Sequence, residues 1–481
     1  MRKINFILLI IFCSLSALNA QQKTADIIKK IENQLTTAIL IEGEPQAFFT
    51  ITERMKHYNV PGLSIAFIKD YKIDWTKTYG YTSFDSTMAI DNNTLFQAAS
   101  ISKPVAAMGA LWLVQEGKLS LDADVNKYLK NWQVEENRFT EKEKVTLARI
   151  LSHSAGLTVH GFAGYSAIDT VPDIIQILNG TKPANSDKIK PDTIPGLIWR
   201  YSGGGYTIMQ KMVTDITKIP FPEFMQKTVL SKLGMNNSTY SQPLPLYLHK
   251  NASIGHRPNG DSLAGKWHTY PEMAAAGLWT TPSDLAKLAI EVQKSLAGKS
   301  NKVLSTDFTK MMVTRYKDDY ALGFGIGGKG DSILFEHGGA NEGYRCMLLA
   351  FTNLKSGIVI MTNSDNGMNL ITEILRSVSR AYNWSIYKTE VRKVIPLEAE
   401  KIKLFEGKYK LNEGMEVEIN FKDNKLMAKQ SWDNIEYPIY PESDYTFFEK
   451  EGGISFVFQP TGDGKIGSFI VYGQYIFNKI E

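Results

Sequence analysis

From about residue 45 to residue 385 the apolar positions switch repeatedly between helical and strand periods. Gly62 to Ile68 and Lys72 to Trp75 have strand character on either side of a polar break, which predicts a hairpin around Lys69–Lys72. Val105 to Gln115 is apolar at helical spacing and closes at Gly117. A short helix is expected over Leu147–Leu151, and another over Pro172–Leu178 inside the loop-rich stretch 158–197. Thr281-Pro282-Ser283-Asp284 has the residues of a helix start, after which Leu285, Leu288 and Val292 share a face. Leu334-Phe335, Met347–Phe351 and Gly357–Thr362 read as strands, and Asn369–Tyr382 as a last helix.

After about residue 390 the pattern settles to period two. Pro396-Leu397-Glu398 begins a linker. Val417, Ile419 and Phe421 then alternate with Glu416, Glu418 and Asn420, and Ile454, Phe456 and Phe458 repeat the pattern. Asp423-Asn424 and Asp463-Gly464 supply turns. About 80 residues of such strands form a small all-β domain, near the size that folds alone, and can close into a barrel.

The N-terminus changes this picture by removal. Arg2 and Lys3 precede an apolar stretch from Ile4 to Leu15, and Leu18-Asn19-Ala20 ends in a small residue. These are the parts of a secretory signal, and the run is too short for a bilayer span. Cleavage after Ala20 removes both cations, so the formal charge drops from +4 to +2. The expected division is therefore a leader over 1–20, a domain over 21–390 and an all-β domain over 391–481.

Composition then excludes several function classes. Apolar residues make up 43% of the 481 residues and charged residues 22%, which is globular usage. No long basic run favours nucleic acid or a membrane surface. Two cysteines exclude a disulfide framework, and the leader removes Cys13. Cys346 is expected as a small buried residue in the strand that runs to Phe351. The seven histidines have no metal-ligand spacing, so neither a metal nor another cofactor is expected.

Three stretches can carry chemistry. Ser100-Ile101-Ser102-Lys103 places a serine and a lysine on one helix face. A lysine held neutral by desolvation can take the serine proton, and a helix start offers N–H groups to an oxyanion. Alone, the pattern also describes a helix cap with a surface lysine. A second copy, Ser385-Ile386-Tyr387-Lys388, follows a helix instead of opening one and is rejected. Tyr201-Ser202-Gly203-Gly204-Gly205 is a glycine-rich turn on which the tyrosine could shuttle a proton, or simply pack. Glu336-His337-Gly338-Gly339-Ala340 ends a strand where a substrate could lie along the edge, its carbonyl facing the N–H near Ala340. Gly323 to Gly328 matches a dinucleotide fingerprint by letter, but a turn and a strand follow it, so a β-hairpin is expected. No G-x-S-x-G elbow occurs.

The order of these stretches resembles the serine β-lactamase and penicillin-binding-protein family, in particular its class C-like (peptidase S12-type) branch of esterases and D-peptidases. Leu151-Ser152-His153-Ser154-Ala155-Gly156-Leu157 and Ala275-Ala276-Gly277-Leu278-Trp279-Thr280-Thr281-Pro282-Ser283-Asp284-Leu285 resemble two further family segments. The resemblance covers about residues 45–385. It implies a mixed α+β fold: an antiparallel sheet flanked by helices, an all-helical subdomain, and then the small barrel-like domain, which itself resembles a lipocalin. It implies Ser100 as acylated nucleophile, Lys103 as its base and Tyr201 as second proton-transfer residue. His337 stands where lactamases carry a lysine, Ser100 and Ala340 supply oxyanion N–H groups, and Gly338, Gly339 and Gly203 lie along the substrate. Gly203 replaces the usual asparagine, and a titratable imidazole replaces a permanent cation. Both departures favour an esterase or D-amino-acid peptidase over a true β-lactamase, with a non-catalytic binder of β-lactams or cell-wall peptides as the remaining alternative. The loop His160–Tyr165 and Pro183–Ser186 are expected to shape the pocket. Implied partners are a small ester, peptide or β-lactam substrate, with no nucleic acid, no stable membrane anchor, and room for a homo-oligomer. The location is periplasmic or secreted.

Overall fold

A computed structural model describes residues 21–432 and 434–480; the expected leader over 1–20 lies outside them. By contacts the chain falls into two units, one of Met55–Ile371 and one that joins the residues up to Arg54 to Thr372–Glu481. The second unit thus takes in residues on both sides of position 390.

The unit over 55–371 is built on a six-stranded antiparallel sheet. Its spatial order is Lys72–Gly80, Gly62–Lys69, Ser356–Thr362, Tyr344–Phe351, Leu334–Asn341 and Gly325–Gly327. The first hairpin pairs Lys69 with Lys72, where the polar break predicted the turn. The glycine-rich decoy is indeed a hairpin, with Gly325 opposite Glu336. The sheet therefore comes from the two ends of the unit's sequence, and the residues between them supply the helices. One is Pro282–Leu296, capped by the Thr281 hydroxyl, with Leu285, Leu288 and Val292 fully buried. Gln293 ties it to the sheet through the carbonyls of Phe351 and Ser356, at 2.8 and 2.9 Å. A second is Ser102–Gln115, whose apolar residues on every side bury it in the core.

Sequence and structure differ at Gly203–Gly205. These residues read as a turn, yet they form the first turn of the helix Gly203–Thr217, capped by Ser202 Oγ at 3.1 Å from Gly205 N. A Cβ on Gly204 would stand 2.9 Å from Ile189 and 3.0 Å from the Thr158 carbonyl, so tertiary packing overrides weak glycine propensity.

In the other unit, Ile39–Ile41 pairs in parallel with Glu390–Arg392. Eight antiparallel strands between Gly407 and Lys479 close into a barrel. Its filling is aromatic: Tyr409, Phe447, Phe456, Phe458 and Phe469 point inward, with Phe405 from the short helix Ala399–Phe405 among them. Phe421 departs from the predicted alternation and is 42% exposed. Arg54 ties this unit together: its guanidinium meets both oxygens of Glu373, at 2.8 and 2.6 Å, and Glu451 at 2.9 Å.

Among the described residues no helix is long and apolar enough to cross a membrane.

Candidate active site

Ser100 sits in a single 3₁₀ turn, Ala99–Ile101, just before the helix that starts at Ser102. Ala99 is held at φ +48°, an uncommon conformation for a residue with a Cβ. Three contacts brace the turn. Ala98 N donates to the Leu278 carbonyl at 2.8 Å. Ser102 Oγ accepts from Leu278 N at 3.0 Å, and its carbonyl accepts from Tyr240 OH at 2.6 Å. Cys346, fully buried as expected, has its sulfur 3.0 Å from the Ala98 carbonyl, and burial raises its thiol pKa, so it is packing and not chemistry.

Lys103 is one helical turn along, with Nζ 3.0 Å from Ser100 Oγ. The amine also donates to the Ala275 carbonyl at 2.7 Å. Among the described residues no carboxylate pairs with it; instead it lies 4.9 and 5.8 Å from the ring centres of Tyr201 and Tyr206. Burial pulls its pKa down to about 7, because nothing anionic compensates the lost hydration. A large fraction of the amine is therefore neutral near pH 7 and can accept a proton.

Tyr201 is hydrogen-bonded through its phenol to the Ser100 side chain, and burial raises its pKa above the usual tyrosine range. It stays protonated and donates. Its ring packs against that of His153, with centres 4.1 Å apart and planes tilted by 32°, and His153 Nδ1 accepts from Ser202 N at 3.1 Å. The Leu151–Leu157 segment thus acts as a brace: Arg200 N donates to the His153 carbonyl at 2.7 Å, and Tyr206 OH to the Leu151 carbonyl at 3.0 Å.

The strand Leu334–Asn341 forms the opposite wall. Gly339 is required there: a Cβ would stand 2.3 Å from the Ala98 carbonyl and 2.3 Å from the Cys346 sulfur, so only glycine lets the strand reach the Ser100 turn. His337 is buried, with Nδ1 2.6 Å from the Gly338 carbonyl, which assigns the proton to Nδ1 and leaves Nε2 as an acceptor without a partner. Burial, with Lys103 second, drives its pKa down to about 3. The imidazole expected to titrate is therefore neutral throughout the working range.

These groups line one cavity of about 580 Å³, which brings together Ser100, Lys103, Tyr201, His337, Gly338, Gly339 and Ala340. Gly203 is not among the residues that line this cavity. Its N–H donates to the His160 carbonyl at 2.9 Å, and a Cβ would stand 3.1 Å from that oxygen and from the Phe162 ring. It lets the 160–162 loop close down. His160 and Phe162 do line the cavity, as expected, whereas Asn185 and Ser186 line a neighbouring one. Trp199, Tyr320 and Glu336 were missed as site residues. For Glu336 a signal was available: a carboxylate between Phe335 and the His-Gly-Gly run in an otherwise apolar strand.

A serine, a buried lysine without a counter-ion and a protonated tyrosine converge on one cavity, the set of groups that an acylating serine site needs. The Beta-lactamase family profile matches residues 50–376, and the chain belongs to that family. It is 24% identical over 341 residues to "Protein flp" of Staphylococcus aureus (strain COL), covering 67% of this chain and 64% of the relative. It is 25% identical over 267 residues to the "Teichoic acid D-alanine hydrolase" of Staphylococcus aureus (strain NCTC 8325 / PS 47), covering 54% of this chain and 61% of the relative. The chain thus spans just under two thirds of the length of each of these relatives. The octameric penicillin-binding protein homologue from Pyrococcus abyssi superposes with a TM-score of 0.60 at 20% identity, over 89% of this chain and 98% of that one, a likeness of fold.

Proposed function

We propose that the protein is an exported esterase or D-amino-acid peptidase of the class C-like branch, working through an acyl-enzyme on Ser100. The observation that carries this reading is Lys103: its amine is 3.0 Å from Ser100 Oγ and is depressed to about 7 without a counter-ion. Lys103 takes the Ser100 proton as Oγ attacks the substrate carbonyl. The N–H groups of Ser100 and Ala340 hold the oxyanion. Collapse breaks the ester or amide bond, and Tyr201 passes a proton to the leaving group, replenished from Lys103. Water then attacks the acyl-Ser100 ester by the reverse route.

Two features support an ester or peptide substrate over a β-lactam. His337 provides no cation for a β-lactam carboxylate, and no arginine lines the cavity. The amide of Asn341 is already used, donating to Gln97 at 2.7 Å and to the Ala276 carbonyl at 3.1 Å, so it does not replace the missing asparagine. The name of the D-alanine hydrolase relative points the same way. Labelling by a fluorophosphonate probe is expected in the wild type and absent in Ser100→Ala. Label retained in that variant would remove Ser100 as nucleophile. p-Nitrophenyl acetate is expected to turn over faster than a chromogenic cephalosporin, and the opposite order would make the protein a β-lactamase.

A further inference from the structure

The stretch Ile194-Pro195-Gly196-Leu197-Ile198-Trp199 has no polar side chain, yet it lies on the surface: Ile194, Leu197, Ile198 and Trp199 are each between 40% and 59% exposed. Single exposed apolar residues are ordinary on a folded protein, but four within six positions are not. The segment is held there by its backbone. Gly196 N donates to the Ser154 carbonyl at 2.7 Å, and Leu197 N to the Ile194 carbonyl at 3.1 Å. The Leu197 carbonyl accepts from Lys317 Nζ at 3.0 Å. That bond staples the segment to the 316–320 turn, in which Tyr316 N donates to the Tyr320 carbonyl at 2.8 Å and Tyr316 is itself half-exposed.

This apolar surface runs into the catalytic cavity. Trp199 and Tyr320 line that cavity, and their ring centres are 6.0 Å apart. Tyr320 meets the His337 ring nearly edge-on at 6.3 Å and the His153 ring at 4.8 Å, and His153 packs against Tyr201, the partner of Ser100. A series of rings thus joins the proposed nucleophile to the segment that carries Leu197 and Ile198. The charges beside that segment are engaged: Arg200 pairs with Asp192, and Lys317 with the Leu197 carbonyl. A ligand that fills the cavity and continues outward past Trp199 meets carbon.

We propose that residues 194–199 and the 316–320 turn form an apolar lip that binds a hydrocarbon chain of the substrate. This rests on the serine-hydrolase reading and narrows its substrate class to esters or amides that bear a medium or long alkyl chain. The chain can belong to the acyl group or to the leaving group, and two series of esters separate these sources. p-Nitrophenyl acetate, butyrate and octanoate lengthen the acyl side. Ethyl, butyl and octyl acetate lengthen the leaving side.

Hydrolysis is followed in a pH-stat below the solubility limit of each ester. In one series kcat/KM is expected to rise about twofold per methylene, because full burial of a methylene is worth about fourfold and a lip covers the chain on one side only. In the double variant Leu197→Ser with Ile198→Ser that increment is expected to vanish, and in Leu197→Met with Ile198→Val to be kept. Being a ratio within each variant, it is insensitive to the fraction folded. A wild type that turns over the acetates with no increment in either series, or an increment that survives in the serine pair, would overturn the inference. Binding separates this failure from failure of the hydrolase reading. Calorimetry on Ser100→Ala is expected to show octanoate bound about tenfold or more tighter than propionate, with the difference lost when the serine pair is added. Equal binding of the two acids would defeat the lip independently of catalysis. Capture of the protein by neutral phosphatidylcholine vesicles, or a dimer dispersed by the serine pair, in place of a chain-length preference would assign the surface to a lipid interface or a second copy and overturn the inference as well.

Discussion

Two buried cations in two regions of this molecule make an instructive contrast. Arg54, in the unit that contains the barrel, is enclosed by Glu373 and Glu451, and its side chain is 5% exposed. Lys103, in the sheet-based unit, is as deeply buried but faces a serine, a carbonyl and two tyrosine rings. The first arrangement satisfies a charge and makes it structural. The second withholds the counter-charge and leaves an amine that loses its proton near pH 7, as the proposed base must. Burial is common to both; the presence of a carboxylate decides between scaffold and chemistry.

The sharpest way to break this comparison is to give the Lys103 site a charge that cannot be lost. Lys103→Arg is expected to lower kcat for p-nitrophenyl acetate by about a thousandfold or more, because a guanidinium does not deprotonate in the working range. Near-wild-type turnover, with the fold checked by circular dichroism, would show that Lys103 is not the base.

The converse experiment strips the counter-charge from the scaffold site. Glu373→Ala leaves Arg54 buried with less compensation and is expected to destabilise its unit by about 3 kcal/mol, read from the urea midpoint. The double replacement Arg54→Met with Glu373→Leu is expected to recover most of that loss. A single variant as stable as the wild type would show that the pair is dispensable.

A smaller effect comes from pH. A lysine depressed to about 7 loses its proton as pH rises through that value, so activity is expected on the alkaline side. Below it, kcat/KM should fall about tenfold per pH unit. A flat profile between pH 5 and 8 would contradict a lysine base. The smallest effect sharpens the assignment: with His337 already neutral, His337→Gln is expected to leave the midpoint of that limb within about half a pH unit, even where the rate changes. A midpoint that moves by more would assign the limb to the imidazole.

Much of the fold was legible because the periods are local. The alternation from Val417 to Phe421 and the capped face of Leu285, Leu288 and Val292 follow from where each side chain must point on a strand or helix. The glycines of Gly203–Gly205 misled for the same reason: their local preference is for a turn, and only the approach of Ile189 and Thr158 makes a helix start there. In the site, Ser100, Lys103, Tyr201 and His337 were legible as motif positions. Trp199 and Tyr320 were not, because an aromatic residue that lines a cavity has no local pattern to separate it from one in a core.

The sequence by itself determined the residue types and their order: a serine three before a lysine, a tyrosine after them, a histidine and glycines on a late strand, and a period-two tail. That order suffices for family and reaction class, since the chemistry needs those groups in that register. Protonation was decided only by tertiary structure. The Lys103 amine is drawn towards neutrality, Tyr201 keeps its proton and His337 is neutral because of what surrounds them, and those surroundings come from segments as distant as Ala275 and Cys346. Desolvation is a property of a closed three-dimensional shell, and the chain acquires it only when the sheet, the helices and the 160–162 loop have met.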